Sequence, residues 1–446
     1  MKKALCLLLL LTVLLIMAAC HPEKPEETEP TQLASLHIHS YTAVITDPTC
    51  SEQGYTTYTC PCGDSFTDDF ADATGEHLYE DGLCTQCGEA DPSVDLFVFA
   101  GQSNMMGAAA LAPQRDTFTD KAWEYKYLPR LRTGEAGEFV SAGYPVGEFH
   151  YKNLSAAYGD HLTDLSYPST LIDYSVNTYF CPSLRDGARA YTRQSEASMD
   201  PAPSLAPYFV TEYAAYGHSS VYAHMCMGSA KITYYFTEEM LSRYNTLICG
   251  YNEENGAAYP VLTLGDLSGA GEAFADKYRA MVEDFPGFAP EKTVKNKCFV
   301  WLQGESDSQS SYAAYKLKMQ VLWEHLQNLG FTHFFVLRVG YWDNPGILNV
   351  IKAQEDFCAE NENCHIVTRA PSLIPCPGAT TANWWLEEPA AEYQNCRDCY
   401  LTGTGNLHFN ENAMILFAQR SAENVHRILH LGEEPLLEAE NIRGMP

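Results

Sequence analysis

The sequence predicts an α/β protein: a doubly wound α/β/α sandwich on a mainly parallel sheet, preceded by a small cysteine-rich module. Three observations carry this. From Val94 onward, short unbroken apolar runs recur, the pattern of strands buried on both faces. Stretches with a helical repeat separate them. Polar, glycine-bearing turns follow several of the runs directly, where a doubly wound sheet carries its chemistry.

The elements follow in chain order. Residues 1–19 read as a signal peptide, with Lys2 and Lys3 before an apolar run from Ala4 to Ala19. Ile16-Met17-Ala18-Ala19-Cys20 resembles a bacterial lipobox, so Cys20 is expected to carry lipid and hold the protein on the outer side of a bacterial membrane. Residues 20–36, rich in Pro, Glu and Thr, form an acidic tether. Residues 37–92 form a ribbon-like module whose β-prone run Tyr55–Thr59 leads into Cys60-Pro61-Cys62-Gly63, with a second knuckle at Cys84-Thr85-Gln86-Cys87-Gly88. So small a unit needs a staple. Cys60, Cys62, Cys84 and Cys87 are the candidate ligands of one structural zinc, with disulfides as the competing reading.

The large domain is expected over 94–431, with a tail at 432–446. Its strands are read at Leu96–Ala100, Ser219–Met225, Cys298–Leu302, Phe334–Val339 and Ile366–Thr368. Tyr315, Met319, Leu322, Leu326 and Leu329 repeat at four and three and stop at Gly330, which predicts a helix. A last helix is expected from Asn410 to Leu429. Residues 114–200 break the rhythm and read as an insertion over the site. Its Trp123, Tyr125, Tyr127 and Tyr151 either form a wall for stacking sugars or fill the insertion's own core.

Composition narrows the function. The chain is 46% hydrophobic and 19% charged, as globular proteins are. Its net charge of −29 makes nucleic acid a poor candidate partner, because phosphate binding needs a basic face. Sixteen cysteines are many, and five fall between residues 50 and 87.

Four short motifs carry chemistry. Gly101-Gln102-Ser103-Asn104-Met105-Met106-Gly107 puts a serine at a sharp turn between a strand and a helix, near the positive end of the helix dipole. Trp301-Leu302-Gln303-Gly304-Glu305-Ser306-Asp307 clusters polar side chains after another strand. Gly405-Asn406-Leu407-His408-Phe409-Asn410 supplies a histidine able to take a proton from a serine. Met227-Gly228-Ser229 offers a glycine whose N–H can approach an oxyanion.

Taken together, the GQSNM and QGESD motifs, in this order and each after a strand, with the late histidine beside a helix, resemble the SGNH hydrolases. The branch they resemble is that of the carbohydrate acetylesterases, which includes sialate O-acetylesterases and acetylxylan esterases. The resemblance covers about Val94 to Leu431 and implies a flavodoxin-like sheet. It implies that Ser103 is the nucleophile and His408 the base. It also implies an oxyanion hole made by the N–H groups of Ser103 and Gly228 with the amide of Gln303, the latter chosen because an ionised Glu305 has no proton to donate. Gln102, Asn104 and Glu305 would order the site or touch substrate. Gln354 falls where the family has a recurrent glutamine, and otherwise reads as a surface helix residue.

One position departs from the pattern. The family places an aspartate three residues before the histidine, and here that residue is Gly405. Asp398, Asn406 or a backbone carbonyl would have to orient His408 instead. The expected function is removal of O-acetyl groups from carbohydrate, with no cofactor for the catalytic step. The rival is a carbohydrate-binding surface lipoprotein on a degenerate esterase fold.

Overall fold

The computed structural model describes residues 38–80, 82–106, 117–126, 138–144, 204–226, 229–268, 270–340, 346–374 and 408–438. The expected leader, tether and lipidated Cys20 lie outside these residues. So do Tyr127, Tyr151, Gly228, Asp398, Gly405 and Asn406. The chain forms two compact units, Met1–His77 and Leu78–Pro446.

In the first unit, β1 (Thr42–Thr46), β2 (Gly54–Thr59) and β3 (Ser65–Ala71) make an antiparallel meander in that order. Threonine and tyrosine suit a pleated surface, so these runs become strands. They enclose almost no core. Of the described residues of this unit, only Cys50, Gly54, Thr56 and Cys60 are buried, while Val44, Ile45, Phe66 and Phe70 are exposed.

The second unit opens with a short hairpin, β4 (Tyr79–Glu80) and β5 (Leu83–Cys84). Then come β6 (Ser93–Gly101), the single turn α1 (Ser103–Met106), β7 (Thr117–Lys126) and β8 (Glu138–Tyr144). Next are α2 (Leu205–Ala215), β9 (Ser220–Cys226), α3 (Glu238–Asn255) and α4 (Ala270–Phe288). β10 (Thr293–Leu302), α5 (Tyr312–Asn328), β11 (His333–Leu337) and α6 (Ile347–Glu360) follow. The chain closes with β12 (Cys364–Thr368), α7 (Ala370–Leu373) and α8 (Glu411–His426).

These build one seven-stranded sheet in the order β12-β11-β10-β6-β9-β7-β8. Six strands run parallel, and β8 pairs antiparallel at the edge. This is the doubly wound α/β/α arrangement. Residues alternate between its faces, as strand geometry requires. Leu96, Val98, Phe299, Trp301 and Val336 point into a core shared with α3, α4, α5 and α6. Phe97, Phe99, Tyr222, Val300 and Phe335 point the other way, toward α2 and α8.

The stretch read as an insertion departs from expectation. Its described parts, β7 and β8, extend the sheet. Trp123 packs edge-on to Phe288 of α4, and the Tyr125 hydroxyl donates to Asp284 on the same helix. Both aromatics therefore serve the sheet-to-helix core and form no sugar-stacking wall. Asp120, Lys121, Glu124 and Lys126 break the apolar run of β7, which hid a strand next to the sheet edge.

The topology also fixes where chemistry can sit. The chain enters the sheet at β6, later adds β9 on one side of it, and then adds β10 on the other. Strand order therefore reverses at β6, and the carboxyl ends of β9, β6 and β10 lie side by side at that switch point.

Candidate active site

β6 delivers the serine turn to this crevice. Gly101 has φ of +150°, and a Cβ there would stand 2.1 Å from the Leu302 carbonyl oxygen of β10. Only glycine lets the two backbones pass so closely. The Tyr235 hydroxyl accepts from Gly101 N–H at 3.1 Å and lies 2.7 and 2.9 Å from the carbonyls of Gly101 and Met225. It thereby binds the end of β6 to the end of β9.

After the turn, burial alternates. Gln102 and Asn104 are buried and engaged, whereas Ser103 between them is half-exposed. Gln102 Oε1 accepts from the Ser306 N–H at 3.1 Å. Asn104 Nδ2 donates to Glu305 Oε1 at 2.6 Å, and its Oδ1 accepts from the Phe409 N–H at 3.3 Å. One side chain next to Ser103 thus holds both the QGESD turn and the segment carrying His408.

His408 is half-buried just ahead of α8. Asn410 caps that helix, accepting from Ala413 N–H at 3.3 Å, and buried Phe409 meets Phe417 edge-on at 4.9 Å. Cap and ring fix the chain that presents the imidazole. Burial lowers the His408 pKa from its ordinary value and so favours the neutral ring, the form that accepts a proton.

Gln303 departs from its expected part. Its side chain is fully buried, and its Nε2 donates to the Ala230 carbonyl at 2.9 Å and to Asp307 Oδ2 at 2.8 Å. Its Oε1 accepts from the Tyr315 hydroxyl at 2.9 Å. An amide has two N–H donors, and both are committed inside the protein. Gln303 therefore supports the turn and is not aimed at an oxyanion.

Asp307 is the hub of this support. It is buried, and its Oδ2 also accepts from the Ile232 N–H at 2.8 Å, while Oδ1 stands 3.4 Å from Lys318 Nζ. Through Ala230 and Ile232 the network grips the segment that leaves β9. Gln354 completes it from α6. It is fully buried, donating to the Gln303 carbonyl at 2.8 Å and accepting from Val339 N–H at 2.9 Å, so the surface reading does not hold.

Glu305 has a divided environment. Its Oε1 receives Asn104, while its Oε2 is shut off from water and has no hydrogen-bond partner among the described residues. Burial raises its pKa, and the Asn104 bond offsets this only in part. On the far side of the turn, a cavity of about 390 Å³ is lined by Lys231, Tyr259, Asp266, Ser306, Asp307 and Lys318 among others.

Sequence reasoning missed Tyr235 and the second role of Tyr315. Both were hidden among apolar helical neighbours, and a tyrosine hydroxyl leaves no mark on a hydrophobic repeat. Lys318 was equally hidden, within the second turn of α5.

No protein family and no curated protein matches this sequence. Solved structures do. A protein from Arabidopsis thaliana is 13% identical over 74% of this chain and 96% of its own, with a TM-score of 0.37. A structure described as a novel carbohydrate acetylesterase from Xanthomonas citri is 13% identical over 87% of this chain and 62% of its own, at 0.36. NanS is 12% identical over 76% of this chain and 98% of its own, at 0.37.

Proposed function

We propose that the second unit is a serine esterase that removes O-acetyl groups from carbohydrate, carried on a lipoprotein anchored through Cys20 outside the cell. The observation that carries this reading is the double grip of Asn104. It holds the QGESD turn and the His408 segment against the turn that leaves Ser103 half-exposed.

In the proposed cycle Ser103 Oγ attacks the acetyl carbonyl carbon while His408 takes the hydroxyl proton. The N–H groups of Ser103 and Gly228 hold the oxyanion, and Gln303 only keeps their loops in register. As the C–O bond to the sugar breaks, His408 returns the proton to the leaving oxygen. Water then attacks the acetyl-serine, His408 accepts its proton, and acetate departs as Ser103 is reprotonated.

Acetate release from a panel of acetylated glycans, comparing the protein with Ser103→Ala, tests the proposal. Release that disappears in the variant, with an organophosphate adduct on Ser103, is expected. An intact protein that cleaves neither these nor activated acetyl esters, yet binds the glycans, would replace the enzyme by a binding protein.

A further inference from the structure

We infer that the first unit holds a zinc-class divalent cation through His39, Cys60 and Cys62, a ligand set different from the four cysteines that the sequence suggested. Cys60 and Cys62 meet His39 in this unit, whereas Cys84 and Cys87 belong to the second. The register explains the meeting. Thr42 of β1 pairs with Thr59 of β2, so the chain preceding β1 runs on alongside the chain following β2. That sets His39 beside the knuckle.

The geometry suits a metal. The ligand atoms of His39, Cys60 and Cys62 all lie within 4.8 Å of one another. Cys62 Sγ is 3.4 Å from His39 Nδ1. With a Zn–S bond of about 2.3 Å and a Zn–N bond of about 2.0 Å, a tetrahedral S–Zn–N edge is about 3.5 Å. The separation is therefore one that a single ion would span without rearrangement. The loop is already shaped as a knuckle: Cys60 N–H donates to Asp64 O at 2.8 Å, and Gly63 N–H to Cys60 O at 2.9 Å, with Gly63 at φ +94°. Asp64 Oδ2, 3.6 Å from His39 Nδ1, adds negative charge for a cation to neutralise.

Need and position agree. A three-stranded sheet that buries almost nothing apolar has little to hold it, and a cross-link is how such small units persist. Two of the four buried described residues of this unit are cysteines, one of them the proposed ligand Cys60. A cation here would tie the start of β1 to the β2–β3 turn.

The test uses the full chain purified under reducing conditions. Zinc content is measured for the wild type, His39→Ala and Cys62→Ser, so that metal held elsewhere cancels in the difference. Each variant should carry about one equivalent less than wild type. Cobalt reconstitution should give thiolate-to-cobalt charge transfer that weakens in Cys62→Ser. Maleimide labelling of Cys62 in the unaltered protein, which needs no variant to fold, should speed up at least tenfold on adding a chelator. Unchanged zinc content in both variants, chelator-independent labelling, or a Cys60–Cys62 disulfide found by mass spectrometry under these conditions would overturn the assignment.

Discussion

Asn104→Ala is the perturbation that most directly interrogates the site. It removes two bonds, the 2.6 Å donation to Glu305 and the 3.3 Å acceptance from Phe409 N–H. A bond to a carboxylate is worth about 1.5–3 kcal/mol and a backbone bond about 0.5–1.5 kcal/mol, so the loops lose roughly 2–4 kcal/mol of mutual restraint. If Asn104 holds His408 in register with Ser103, most of that loss appears in the transition state. At about 1.4 kcal/mol per decade, kcat should fall by about 10–10³-fold. KM should move less than kcat, because an interaction that acts in the transition state lowers turnover. The assay is kcat and KM on an activated acetyl ester, alongside denaturant unfolding of the same samples. A variant that loses stability as stated yet turns over within twofold of wild type would refute the positioning argument. A variant that loses neither would refute the two bonds themselves.

Three further outcomes are expected. Gly101→Ala sets a methyl 2.1 Å from the Leu302 carbonyl at φ +150°, so it should cost at least about 3 kcal/mol and appear as insoluble or early-melting protein; a normal melting temperature would contradict the close pass of β6 and β10. Because burial lowers the His408 pKa and the base must be neutral, the rate should be level near pH 7 and fall about tenfold per pH unit only on an acid limb centred below about 6.5; a limb centred above 7 would exclude this histidine as the base. His218 is held down to about 3 and His224 and His333 to about 4, first by burial, so the unfolded chain binds more protons than the native one as pH falls from about 6.5 toward 4. Stability should therefore drop across that window, with fully buried His224 alone contributing up to roughly 3 kcal/mol, and equal denaturation midpoints at pH 7 and pH 5 would contradict it.

The sheet was legible because burial on both faces writes itself into sequence as unbroken apolar runs. Leu96–Ala100 and Cys298–Leu302 lie wholly within strands, and Phe334–Val339 does so as far as Leu337. β7 was not legible, since its position beside the edge tolerates charge that an apolar window discards. The turns after β6 and β10 were found because glycine beside polar residues at a strand end has few structural uses. What those side chains do was harder to read. Gln303 and Asn104 are both amides in conspicuous motifs, and the sequence offers no means of telling which donors are spent inside the protein. Gln303 is 0% exposed with both N–H groups committed, a fact set by Asp307 of its own turn and by Ala230 and Tyr315 from two other segments.

That division has a physical basis that also bears on Gly405. A polar group at a strand end is kept only when it reacts with something or when it satisfies another buried group, since an unpaired buried partner costs about 1–3 kcal/mol. Around this crevice the second kind dominates: Gln102, Asn104, Gln303, Asp307 and Gln354 all point at backbone or at one another. Such a frame costs side-chain entropy, and its return lies in the geometry of what it surrounds. A domain that merely displayed an apolar surface or a few hydroxyls would have no need of it. Ser103, set between two buried and bonded neighbours, and His408, set between a helix cap and a bonded backbone, are the groups that this frame leaves half-exposed in fixed positions. The frame therefore favours turnover over simple display, and a replacement for the missing aspartate has only to orient a ring whose backbone is already held.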